Sequence, residues 1–120
     1  MKKYFIYFLL YSFLFSEPYE GLTLITTNND PVVNSTKLID NNFNIINTWI
    51  HDTNPASIAY LMPDSTLYVP CRTYSSLNRM PIGGRFKKMD WDGNLLWDYT
   101  LPTNICIPHH DIEVLPNGNI

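Results

Sequence analysis

The sequence lacks the surplus of positive charge that a nucleic-acid partner demands. Its 120 residues hold 8 Lys and Arg against 11 Asp and Glu, a net charge of −3. Phosphate binding needs a basic surface, so nucleic acid is excluded as a partner class. There is no block of like charge and no low-complexity tract, which removes charged tails and polybasic membrane patches. Cysteine is sparse, with Cys71 and Cys106 standing 35 apart and neither in a C-x-x-C pair. That spacing makes no metal motif. Helical periodicity is almost absent beyond the first sixteen residues, so an α-helical domain is not in view.

What is present begins with a leader. The stretch MKKYFIYFLLYSFLFS (1–16) has two lysines, an apolar run from Tyr4 to Phe15, and then Ser16. This is the layout of a secretory signal peptide. Twelve apolar residues make roughly 18 Å of helix, and a bilayer core is about 30 Å thick. The run is therefore short for a stable span, and removal after Ser16 leaves no membrane span. An uncleaved anchor is the alternative. No Cys follows the run, so no lipid anchor is expected. Without Lys2 and Lys3, six basic residues face eleven acidic ones. Export admits a disulfide between Cys71 and Cys106, with buried free thiols as the equal alternative.

From residue 17 to residue 120 the pattern is all-β. Short apolar segments alternate with clusters of Asn, Asp, Pro and Gly. Strands are expected at 22–26, 37–39, 44–49, 57–61, 67–70, 84–89, 95–99 and 112–115, with another starting at Asn119. Asp92-Gly93 and Asn117-Gly118 mark tight hairpins, and Pro63-Asp64-Ser65 marks a turn.

A repeat runs through these strands. LIDNNFNIINTW (38–49) matches KMDWDGNLLW (88–97), and SIAYLMPDSTLYV (57–69) matches DIEVLPNGNI (111–120). The period is about fifty residues with four short strands in each, the dimensions of a β-propeller blade. Residues 37–70 and 84–120 are the two blade-like units. Trp49 and Trp97 are expected at equivalent places, packing between blades. Two blades cannot close a propeller, so the sequence reads as the N-terminal part of a longer one.

Three residues stand out for chemistry: His109, His110 and Asp111, at the head of the last hairpin. In a regular strand neighbours face opposite ways, so His109 and His110 are expected on opposite faces. Asp111 either orients a histidine or caps the turn. His51 is expected to be structural. Arg72 and Arg85 either meet an anion or lie on the surface. The Asp90–Asn94 stretch lacks the acidic pattern of a calcium loop, and the histidines fall short of a zinc set.

Gly83–Ile120, with DWDGNLLWDY followed by HHDIEVLPNGNI, resembles the N-terminal propeller region of the arylsulfotransferase family, the PAPS-independent aryl-sulfate sulfotransferases of the bacterial envelope. Over 37–70 only the blade rhythm agrees. The resemblance implies a six-bladed propeller that moves a sulfuryl group from an aryl sulfate to a phenol acceptor through a sulfohistidine. No nucleotide donor and no cofactor is implied. No position here matches the histidine that is sulfated. The resemblance carries over His110, with His109 as second choice, to stabilise the transferred group or handle a proton. It implies an exported protein of the periplasm or cell surface. The competing reading is a non-catalytic propeller that serves as a binding or adhesion module of the envelope.

Overall fold

The computed structural model describes residues 18–28, 32–73, 83–102 and 108–120. The leader and Cys106 lie outside them. The described chain is all-β, with two antiparallel sheets and no helix. The first sheet joins β1 (Thr23–Thr26), β2 (Asn34–Ile39) and β3 (Ile45–His51) in that order. The second joins β4 (Tyr60–Leu61), β5 (Leu67–Arg72), β6 (Gly84–Met89) and β7 (Leu95–Thr100). Both are simple meanders of neighbours, and the two sheets do not close on each other.

Four five-residue turns set the geometry, and all are built alike. In each, the first residue donates its N–H to the carbonyl of the fifth, and the fourth donates to the carbonyl of the first. The pairs are Asp40 and Asn44, Met62 and Thr66, Asp90 and Asn94, and Leu115 and Asn119. The fourth residue has a positive φ in every case: Phe43 at 64°, Ser65 at 64°, Gly93 at 85° and Gly118 at 83°. This is the three-residue hairpin loop that ends in a left-handed residue and a bulge. The tight turns expected at Asp92-Gly93 and Asn117-Gly118 are of this kind, with the glycine as the left-handed residue. Ile46 and Leu96 are the extra residues where β2–β3 and β6–β7 slip register.

The Asp…Asn turns are the firmest part of the repeat. The Asp40 carboxylate accepts from the Asn44 N–H and the Asn44 side-chain amide, both at 2.8 Å. Asp90 does the same for Asn94, at 2.7 and 2.8 Å. These bonds hold both carboxyls below the usual carboxylate range, the Asn side chain contributing most. The turns fix an offset of 50, at which Trp49 matches Tyr99 and Trp97 matches Asn47. The two tryptophans are therefore not equivalent. Trp49 is fully buried between the sheets, whereas Trp97 is 41% exposed and stacks on Tyr99.

One hydrophobic core fills the seam. Leu38 and Trp49 of the first sheet pack with Leu67, Val69, Cys71 and Met89 of the second and with Ala59, just before β4. The Trp49 indole N–H donates to the Asp90 carbonyl at 2.8 Å, and its ring meets Trp91 edge-on at 5.5 Å. Cys71 is a buried free thiol, its pKa raised first of all by desolvation.

Three expected strands differ. Of 57–61 only Tyr60–Leu61 is strand, because Pro55 and Ala56 pair separately with the far end of β5, at Cys71 and Pro70. Residues 112–115 form no strand. The turn that follows them is closed, but no described strand pairs with 112–115 and none starts at Asn119.

A large residue with φ near +60° pays about 1 kcal/mol that glycine does not. Phe43 is exposed and touches nothing that offsets this cost in the core. Phe43→Gly is expected to raise stability by about 0.5–1 kcal/mol, read by denaturant unfolding. Gly93→Ala at the matching position is expected to lower it by a similar amount.

Candidate functional site

The segment after β7 returns to the start of β6, and glycine makes that approach possible. The Gly83 N–H donates to the Pro108 carbonyl at 3.2 Å. A Cβ on Gly83 would fall 2.2 Å from the His109 carbonyl oxygen, so no larger residue fits. Gly84 has φ of +119° and a Cβ there would meet the Thr73 hydroxyl at 2.9 Å. The Gly83-Gly84 pair is the only such dipeptide in the sequence, a signal that sequence reasoning passed over.

This seat holds the two histidines side by side. The chain bends at His110 rather than running as a strand. The rings of His109 and His110 consequently sit 4.1 Å apart, tilted by 57°, and do not point to opposite faces. His109 is exposed and His110 half-buried. The His110 Nδ1 is shielded from solvent and has no hydrogen-bond partner among the described residues. A buried polar atom without a partner costs free energy, and the His51 Nδ1 and Asn34 Oδ1 atoms share that condition. Neutral imidazole offers one donor and one acceptor, so the pair can bind an anion or pass a proton.

Asp111 faces a phenol. Its Oδ1 accepts from the Tyr60 hydroxyl at 2.7 Å and from the Ile112 N–H at 3.0 Å, the second bond capping its own turn. The bond to the Asp111 carboxylate pushes the Tyr60 pKa up to about 12, with desolvation and nearby acidic charge adding to it. The Asp111 carboxyl is held low by the same bond. Tyr60 was not foreseen as a partner, since 51 residues separate the two.

A second polar cluster lies in the seam. His51 is buried, and its Nε2 shares a 2.8 Å bond with the Thr36 hydroxyl, which also meets the Thr26 hydroxyl at 3.0 Å. Lys87 is buried and bonds to Asp52. Arg85 grips Asp98 with two bonds, at 2.9 and 2.5 Å, and reaches Asp52 at 3.2 Å. Arg85 thus serves the two sheets rather than an anion. Desolvation, then the Lys87 charge, drops the His51 pKa to about 4. His51 is structural, as its context implied. Among the described residues no group of three His, Cys, Asp or Glu is placed to hold a metal ion.

No family model, curated protein or solved structure matches the chain.

Two titrations follow from these contacts. Folded His51 takes its proton at about 4 and the unfolded side chain at 6.5. Its contribution is therefore complete above pH 6.5 and is lost as pH falls toward 4. Stability is expected to drop by on the order of 1–3 kcal/mol over that window. A His51→Gln variant is expected to show a flatter profile there, and an unchanged slope would contradict the assignment. In Asp111→Asn the Tyr60 titration, followed by phenolate absorbance, is expected to move from about 12 back toward 10.

Proposed function

We propose that this chain is the N-terminal part of an exported β-propeller enzyme that moves a sulfuryl group from an aryl sulfate to a phenol. In this reading a histidine outside these residues attacks sulfur. The bond from sulfur to the donor's phenolic oxygen breaks as the bond to nitrogen forms. The acceptor phenol then attacks sulfur, gives up its proton, and frees the histidine. His110 holds the transferred group or the acceptor's proton, and His109 is the second candidate. Neither is the nucleophile.

One observation carries the assignment to these residues. The His109 and His110 rings are in contact, and the His110 Nδ1 is buried without a partner among the described residues. A sulfuryl group in flight spreads negative charge over its oxygens. Fixed hydrogen-bond donors aimed at that charge are the main way a protein speeds such transfer. The DWDGNLLWDY and HHDIEVLPNGNI motifs support the family, and the four-stranded meander with its repeated turns supports the propeller. The leader supports export.

The test is sulfuryl transfer from an aryl sulfate to a phenol by the complete protein. His110→Ala is expected to reduce turnover by about 10²–10³-fold, the usual effect of losing one such donor. Undiminished transfer would remove His110 from the mechanism. Failure to detect a sulfohistidine by intact mass after incubation with an aryl sulfate would favour a binding module over an enzyme.

A further inference from the structure

The second sheet has two faces; one is filled, and the other is covered at Tyr68 and Pro70 but open along β7. Leu67, Val69 and Cys71 on β5 point into the seam and are buried. The other face carries Tyr68, Phe86, Lys88, Trp97 and Tyr99, and it opens on a groove of about 930 Å³. Trp97 and Tyr99 are 41% and 46% exposed. Aromatic area of this kind on one contiguous face is a mark of an interaction surface.

The repeat identifies the surface. At the offset fixed by the Asp…Asn turns, Lys88 and Tyr99 take the places of Leu38 and Trp49. Those two are the residues with which the first sheet docks on the second. The ladders extend the match. Leu24 pairs with Leu38 as Tyr68 pairs with Lys88, so Tyr68 takes the place of Leu24, which also packs on the seam. The open face is thus the second sheet's copy of a face that is covered in the first.

The cover has also begun to form. The turns at Met62–Thr66 and Leu115–Asn119 are alike and 53 residues apart. That offset puts Ile112 in the place of Ala59 and Ile120 in the place of Leu67. Ala59 and Leu67 are among the residues that cover the first sheet. Ile112 and Ile120 line the groove on the second. Asp111 ties this segment down through Tyr60.

We infer that the occupant of the groove is a further four-stranded sheet of this same repeat, with Ile112–Leu115 as its first strand and Ile120 opening its second. In that sheet the positions two and four beyond Ile120 are apolar, as Val69 and Cys71 are in the second sheet. The inference extends the propeller half of the proposed function and is independent of the sulfuryl chemistry.

The experiment is residue-resolved hydroxyl-radical footprinting of the protein isolated intact from its own cells. Trp49 and Trp91 serve as internal standards, one buried and one 39% exposed. Trp97 and Tyr99 are expected to lose labelling to the level of Trp49. Labelling of Trp97 at the rate of Trp91 would overturn the inference. Protection that disappears on dilution would also overturn it, because a second copy would then be the cover. A sulfohistidine in the same protein would stand under any of these footprints, and its absence would not alter them.

Discussion

The structure turns on one side chain, the Trp49 indole. It is the largest fully buried group, and it lies in the seam between the two sheets. Burying it drives the sheets together, and its N–H would be costly to leave unpaired there. The Asp90 carbonyl meets that need, and that carbonyl belongs to the turn joining β6 to β7. Asn47, two residues earlier on the same face, donates to the next carbonyl, that of Trp91. A strand of the first repeat therefore reads the turn of the second through two side-chain donors and an edge-on ring contact. The relation of one sheet to the other depends on that reading.

Polar groups finish what the apolar seam begins. Thr36, His51 and Lys87 are buried; Thr36 and His51 pair with each other in the seam, and Lys87 reaches Asp52 at its exposed edge. Exposed ion pairs contribute little, but a buried Lys87 without Asp52 would be a serious cost. Specific pairing at this end and a tryptophan in the core set one register between the sheets. The same framework places the histidine pair. β6 starts at Gly84, and the bare backbone of Gly83 beside it admits the 108–110 segment.

Much of this was legible in the sequence, and the failures have physical causes. β6 was read to the residue, and β5 and β7 to within one or two residues, because their apolar segments stand between clear turn signals. The start of β2 was missed because Asn34, Ser35 and Thr36 look like a loop; Ser35 and Thr36 are buried and Asn34 half-buried, held by hydrogen bonds rather than by hydrophobicity. Trp97 was matched to Trp49 by residue type, whereas the turns that fix register put Tyr99 there. The histidines were expected on opposite faces from strand geometry, and a bend at His110 brought them together. Tyr60 was invisible as a partner of Asp111 because only the fold joins them. The Gly83-Gly84 pair was available as a signal of close backbone approach and was not used.

The central claim is that the two repeats form one cooperative unit through Trp49. Hydrogen exchange of the Trp49 indole N–H, followed by NMR alongside the amides of β2 and β6, tests it most directly. The account predicts that the indole N–H exchanges only with the slowest of those amides, through opening of the whole unit. An indole that exchanges rapidly while the amides of both sheets stay protected would contradict it, because each sheet would then be stable without the seam.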